Sequence, residues 1–360
     1  MLEAQSPDVD LVQLVAASAA AAQLDLRWRT ADSEGWQRLL TGLRYVPVTY
    51  STPWIEYQLA YHREHAECID LSAVILHDRT PCALWPLSLL NSGGARTLGS
   101  HGSPVLPPLF LESLPERSRK TVVQRCHEMM ARLCLVAVGT RTQSVESFDG
   151  STSGLSEWHV QSMLRGARAS LRHEMYVDLS WPMAQIKACF RKSYRALVSA
   201  GMRTWRVLEM TGPDAKRWQQ FRELHTHVAG RVTRSARTWD LQYQAICAGD
   251  AFLVYLLDQA DAMVGGGFFY TTRDEGAYSV AAYDRALFDK PLGHVVQHRA
   301  IELLKERGAR WYKIGVRPYT SEVPAPSPKE ISIGDFKQGF ATHFFPRYVL
   351  DHEFTSSNAS

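Results

Sequence analysis

The chain carries one unit twice, and the order of elements inside that unit limits what it can fold into. The first copy reads as an apolar strand at residues 71–77, a turn at Asp78-Arg79-Thr80 and a second apolar run at 82–90. A strand at 94–98 follows, then a helix at 117–133 and a last strand at 137–141. The second copy repeats the order: strand 252–257, turn 258–261, run 263–270, strand 276–280, helix 293–307 and strand 313–317. The copies lie roughly 180 residues apart, too far for a solenoid repeat and suited to two tandem domains. The fold class expected is α/β, of the α+β mixed-sheet kind.

Composition narrows the class further. A chain of 360 residues, 45% hydrophobic and 21% charged, can bury two ordinary cores. No apolar run approaches the length that crosses a bilayer, and the alanine-rich stretch 15–22 lacks the basic start of a signal peptide. It reads as a local helix or a frayed end, with residues 1–25 partly disordered. The six cysteines form no C-x-x-C pair and sit mostly in apolar context, which predicts reduced core residues in a cytoplasmic protein. A net charge of +3 does not mark a dedicated nucleic-acid binder. His62-Arg63-Glu64-His65 lacks the H-E-x-x-H spacing, so no metal site is expected.

Between the copies the reading is coarser. Ser51 or Thr52 caps a helix running to about Arg63, with Trp54, Tyr57, Leu59 and Tyr61 available for packing. Residues 99–108 read as a loop, 143–155 as a polar Gly/Ser-rich stretch, 158–171 as a helix and 176–179 as a short strand. The domain boundary is placed near 175–180. Ser180 then caps a helix whose stripe is Ile186, Phe190, Tyr194 and Leu197, with Gly201 as its stop. A strand at 204–210 leads to a helix after Asp214 that buries Trp218, Phe221, Leu224 and Val228.

The strongest local signal is Phe288-Asp289-Lys290-Pro291-Leu292-Gly293-His294, between a strand and a helix. Exposed N–H groups and the positive dipole end of that helix would face an anion, and Gly293 would let a pyrophosphate approach the backbone. Lys290, Leu292, Gly293, His294 and Val295 are therefore the candidate donor-phosphate residues. The alternative is a tight turn with no ligand. The first copy has Glu116 and no glycine at this point, so only the second copy is expected to bind phosphate.

The order strand, turn, strand, strand, glycine loop, helix, strand resembles the GNAT acyltransferase core. Two such cores in tandem resemble the FemAB-like transferases. Segments that carry the likeness are Phe190-Arg191-Lys192-Ser193-Tyr194-Arg195, the helix 221–227 running into Gly230-Arg231, Ala262-Met263-Val264-Gly265-Gly266, and Gly334-Asp335-Phe336-Lys337-Gln338-Gly339-Phe340. It covers most of residues 45–350 and is specific in the second half only. The domains it implies are a degenerate GNAT-like domain at 26–176 and a GNAT-like acyltransferase domain at 177–355, with a tail at 356–360.

The resemblance implies transfer of an acyl or aminoacyl group onto an amine, and a role for Lys337 on phosphate of a nucleotide-linked acceptor. The helical arm of some cross-bridge enzymes is absent, which favours acyl-CoA, acetyl-CoA among them, over aminoacyl-tRNA as the donor. No permanently bound cofactor is expected. Arg231, Arg234 and Arg237 suit a phosphate or carboxylate clamp, or form a solvated loop. Arg317, with Tyr319, stands where the two central strands of a GNAT sheet splay, and either faces the cleft or makes an ion pair. A general base would come from Asp284, next to Tyr283 at the strand end, or from His225, His227 or Glu223. Residues 317–329, with Pro324, Pro326 and Pro328, form a loop that either lids the acceptor or runs free. The expected function is an N-acyltransferase acting on an amino group of a nucleotide-linked sugar or cell-envelope precursor. The alternatives are an aminoacyl-tRNA-dependent peptidoglycan transferase and a non-catalytic module on the same fold.

Overall fold

A computed structural model of the chain describes residues 7–136, 138, 142–147 and 155–354. The chain folds as two compact units. Unit 1 is drawn from residues up to Arg44, from His62–Leu171 and from Arg347 onward; unit 2 is Tyr45–Tyr61 and Arg172–Pro346.

In unit 1 the elements are α1 (Pro7–Ala21), β1 (Asp25–Trp28) and α2 (Ser33–Gly42). Helix α3 (Thr52–Arg63) belongs almost wholly to unit 2. Then come β2 (Glu67–Asp70), β3 (Ala73–His77), β4 (Thr80–Trp85), β5 (Ser88–Ser92), β6 (Ala95–Gly99), β7 (Leu109–Phe110), α4 (Glu116–Val136), β8 (Thr142–Ser147) and α5 (Glu157–Leu164). From Pro7 the N-terminal segment is helical, with Leu11, Val15, Ala19 and Ala22 against the core; of the stretch expected to be partly disordered, residues 1–6 lie outside the described residues. The apolar run at 82–90 is two strands, not one. Pro86 cannot donate to a ladder, so β4 ends at Trp85 and β5 begins at Ser88. The two go to different sheets, β1-β3-β4-β7 and β2-β5-β6. The strand expected at 94–98 therefore does not continue the repeat; the two-residue β7 takes that place beside β4. Of the strand expected at 137–141, all but Val138 lies outside the described residues, and β8 follows it.

Unit 2 holds β9 (Arg168–Asp178) from Arg172, α6 (Met183–Cys189), α7 (Lys192–Thr204), β10 (Arg206–Met210), α8 (Ala215–Ala229) and α9 (Ala236–Ala248). These are followed by β11 (Ala251–Leu257), β12 (Met263–Thr271), β13 (Glu275–Tyr283), α10 (Leu292–Glu306), β14 (Trp311–Val316), α11 (Pro328–Gln338) and the start of β15 (His343–Glu353). The strand order β10-β11-β12-β13-β14-β9 is antiparallel except at β13–β14. The turn at 258–261 forms as expected, with the Asp258 carboxylate accepting the Ala260 and Ala262 N–H groups at 2.9 Å each.

Three local readings change. The helix expected to start at Ser180 is two helices, broken at Phe190-Arg191, and Ser180 instead donates to Asp178. Gly201 does not stop α7; a Cβ there would lie 2.2 Å from Val295 Cγ2, so the glycine lets α7 close on α10. The helix read at 158–171 ends at Leu164, and the short strand at 176–179 is the end of the longer β9. Four of the six free cysteines are buried, while Cys189 and Cys247 are exposed.

Consecutive glycines on β12 let helices sink onto both faces of the sheet. A Cβ on Gly266 would meet Phe221 of α8 at 3.1 Å, and one on Gly267 would meet Val296 of α10 at 2.8 Å. Gly267→Val should therefore overpack the α10 side and cost about 1–3 kcal/mol. Thermal denaturation checks it; an unchanged Tm would show that the two surfaces are not closely fitted.

Candidate functional site

The site forms where the seam between β13 and β14 opens. The two strands run in parallel register for three pairs, ending at Ala277↔Lys313, and then part while β13 continues to Tyr283. In unit 1 the counterpart is a single parallel bridge, Val105↔Val145.

Lys337 is delivered into that opening. Helix α11 starts on a capping box, Ser327 with Glu330, and Pro328 fits its first turn. Its last turn places the Lys337 Nζ 5.2 Å from the ring centroid of Tyr278 on β13. On the other strand a Cβ at Gly315 would lie 2.8 Å from the same Nζ, and Gly315 has φ +136, open only to glycine. The ammonium has no carboxylate or hydrogen-bond acceptor among the described residues; the Tyr278 ring is what it faces. Burial lowers its pKa to about 8.

Arg317 holds the helix that carries Lys337. Its guanidinium donates to Gln338 Oε1 at 2.6 Å, Pro318 O at 2.6 Å and Asp335 Oδ1 at 2.5 Å, and lies over the Tyr319 ring. Of the two readings open for it, the ion pair is the one observed. Tyr319 also meets His173 edge-on.

At the start of α10, Pro291 provides no side-chain cap. The Leu292 N–H reaches Lys290 O at 2.9 Å, and the Gly293 and His294 N–H groups have no acceptor among the described residues. Gly293 is walled by rings: a Cβ there would lie 3.0 Å from Phe336 and 3.5 Å from Tyr283. His294 packs edge-on against Tyr194 and Phe336, and burial with nearby Arg191 lowers its pKa to about 4, so its ring is neutral at pH 7. Leu292 and Val295 are core residues, and the exposed Lys290 pairs with Asp289 at 2.8 Å. The Tyr283 hydroxyl lies 3.3 Å from that of Tyr278, and burial raises its pKa well above the usual phenol value, so it stays protonated. Asp284 caps the following turn by accepting the Ala286 N–H at 2.9 Å. Tyr278 thus links Lys337 to the Tyr283 and Gly293 corner.

A second group stands on the α8–α9 corner. His225 meets Trp239 edge-on, and burial with Arg234 lowers its pKa to about 4. Arg234 lies over the Trp239 ring at 5.0 Å, and Arg231 is exposed.

Sequence reasoning missed the polar floor beside the seam. Lys313 Nζ lies 3.0 Å from the fully buried Glu174. Burial opposes the Lys313 charge, but Glu174 and Glu275 outweigh it and hold its pKa above the usual range. Glu275, also buried, accepts the Tyr45 hydroxyl at 2.7 Å and the Val48 N–H at 3.1 Å, and burial raises its pKa. Asp274 takes the Val46 N–H at 2.8 Å. The strand containing Lys313 was legible; its ion-pair partner Glu174 lies more than a hundred residues away in sequence, and Glu275 sits on another strand. Among the described residues no group of three or more His, Cys, Asp or Glu is placed to hold a metal. No helix of the described residues is long and apolar enough to cross a membrane.

The chain matches no protein-family model, and no curated protein matches it significantly by sequence. Solved structures do match. FemX aligns over 88% of this chain and 95% of its own, with a TM-score of 0.63 at 11% identity. This is the fold of FemX. The C-terminal domain of a lysylphosphatidylglycerol synthetase from Agrobacterium fabrum covers 91% of this chain and 94% of its own, with a TM-score of 0.56 at 14% identity. L-PGS from Bacillus licheniformis covers 90% and 92%, with a TM-score of 0.56 at 14% identity. The mixed α/β architecture expected from the sequence is the one observed, on the fold that FemX has. On the FemX-like fold the open seam of unit 2, with its unpaired lysine, is the feature that needs a chemical explanation.

Proposed function

We propose that unit 2 transfers an acyl or aminoacyl group onto an amine, with Lys337 stabilising the oxyanion that forms on the donor carbonyl. The observation that carries this is an ammonium held in the opened β13–β14 seam without a counter-charge. Beyond the Tyr278 ring the ammonium has no partner among the described residues, so negative charge that develops beside it, as at a tetrahedral intermediate, is stabilised by it. The Tyr278–Tyr283 hydroxyl pair next to it can relay a proton, giving one to the leaving group as it takes one from the attacking amine.

The start of α10 fits a donor's diphosphate in two respects: the Gly293 and His294 N–H groups are open, and Gly293 has no side chain. His294 would contribute its backbone and not its ring. For deprotonating the acceptor, Asp284 is engaged in capping and His225 is a weak base, so the amine has to arrive neutral. Acyl-CoA is one donor consistent with this chemistry. An aminoacyl donor, tRNA-linked among others, stands beside it, because the neighbours include a lysylphosphatidylglycerol synthetase, by its name a maker of a lysyl product. The acceptor is an amine bearing an anionic group, as in a nucleotide-linked or cell-envelope precursor.

Calorimetric titration with acetyl-CoA, in parallel with retention of aminoacyl-tRNA on a filter, tests the donor. Binding of either supports the reading, and binding of neither overturns it. Gly293→Val should weaken the donor that binds at least tenfold, because the new methyl groups meet Phe336 and Tyr283; the same crowding lowers the Tm, so affinity is compared well below both midpoints. Unchanged affinity would reduce the loop to a turn.

A further inference from the structure

The α8–α9 corner has more donors than the protein can satisfy. Arg222, Arg231, Arg234 and Arg237 have no carboxylate partner among the described residues, whereas Arg206 and Arg217 share Asp261 and Arg299 pairs with Glu209 and Glu306. Below Arg234 sits Gln242, fully buried. Its Oε1 accepts a long bond from Arg234 Nη1 at 3.4 Å, and its Nε2 has no acceptor. Tyr270 is 1% exposed, and its hydroxyl has no partner either. The Gln242 amide nitrogen faces that oxygen as a donor from beyond hydrogen-bond length, so the phenol proton finds no acceptor there. Thr233 Oγ1 is likewise buried and unpartnered. Trp54 and Tyr57 of α3 close on the Tyr270 ring at 5.5 and 6.1 Å.

Buried polar groups are normally paired, and three neighbours that all have a proton to give point to a missing acceptor. We propose that Arg234, Gln242 and Tyr270 bind a carboxylate of the acceptor, which makes the acceptor an amino acid or a peptide-like amine. A carboxylate has one negative charge to set against Arg234, the guanidinium that reaches Gln242, and its two oxygens accept two parallel N–H groups in one plane. Its remaining lone pairs suit the Gln242 amide and the Tyr270 hydroxyl. A phosphate monoester brings close to two charges into a site with aromatic walls and a neutral His225. The inference rests on the acyl-transfer reading only in calling the bound molecule the acceptor.

The test titrates the intact protein with L-alanyl-L-alanine and with its C-terminal amide, followed by ligand-observed NMR, with phenyl phosphate as the competing anion. The expected result is that the acid binds at least tenfold more tightly than the amide. Arg234→Gln and Tyr270→Phe should each remove most of that preference. Arg234 is half-exposed, so its variant keeps the fold even if a core variant does not. Equal binding of acid and amide, tighter binding of phenyl phosphate, or an unchanged preference in Arg234→Gln would each overturn the proposal. Donor binding measured on the same samples separates the two readings. A protein that binds the acid but neither acetyl-CoA nor aminoacyl-tRNA loses the transferase reading and keeps the carboxylate site.

Discussion

Lys337→Met should make the protein more stable and leave it inactive. In the folded state the ammonium is held at a pKa of about 8 by burial, with no ion pair in return. The shift from the ordinary lysine value corresponds to a penalty of about 3 kcal/mol for keeping the charge at neutral pH. Methionine fills the same space over Tyr278 without that penalty, so the Tm should rise by several degrees. Transfer should fall by roughly 100- to 1000-fold, the loss expected when one oxyanion donor is removed. The pH dependence has a definite sign. The folded pKa lies below the unfolded one, so the wild type gains stability as pH rises from about 8 toward the unfolded lysine value, and the variant does not. Over the same range wild-type kcat should fall as the ammonium loses its proton. Differential scanning calorimetry across pH, with kcat measured on the same preparations, checks both arms. A variant that is less stable, or as active as the parent, would remove Lys337 from the mechanism. Gly315→Ala should mimic the activity loss, because the new Cβ takes the position the ammonium needs.

The second large effect is acid lability of unit 1. His127 is fully buried, stacked on Trp158 with ring centroids 4.3 Å apart, and 5.6 Å from the ring of His352, itself 2% exposed. Neither His127 Nδ1 nor His352 Nε2 has a hydrogen-bond partner. Burial first, then the neighbouring ring and Arg165, lowers the His127 pKa to about 3; burial and Arg165 lower that of His352 to about 4, with Asp351 opposing. Both rings are neutral in the fold and protonated in the unfolded chain below about pH 6.5. The stability they contribute is complete above that value and is lost as pH falls toward 4 and then 3. The loss should amount to several kcal/mol for the two together, at most about 8 kcal/mol. Urea unfolding at a series of pH values, followed by tryptophan fluorescence and compared with a Trp158→Phe variant, should show it. His352→Phe, which keeps the stacking on Phe354, should flatten the curve, and a parallel curve would place the acid sensitivity elsewhere.

What the sequence made legible follows the locality of the interactions. In the second copy the strands, the turn at Asp258 and the helix after Gly293 depend on neighbours a few residues away, and they formed where periodicity and turn chemistry put them. In the first copy Pro86 splits an apolar run that periodicity alone reads as continuous. Gly201 looked like a helix stop because glycine usually is one, yet here it serves a close crossing with Val295. The site was half readable. Lys337 could be singled out from its segment, and Gly293 from its loop. The Tyr278 ring beneath the ammonium, the Glu174–Lys313–Glu275 floor and the unpartnered Gln242 and Tyr270 could not, since each exists only once distant strands and helices meet.

The contacts of residues 45–48 with Asp274 and Glu275 bear on how this gene can be cut. Tyr45, Val46 and Val48 hold three of the donors that quiet those two acids, and they come from a loop encoded well ahead of everything else in that unit. A shortened form beginning after residue 171 would keep β10 to β14 and most of β9, yet Glu275 would lose two donors and Asp274 would be left to Arg273. Exchange of whole halves would meet the same obstacle, so residues 45–48 have to travel with the strand they serve.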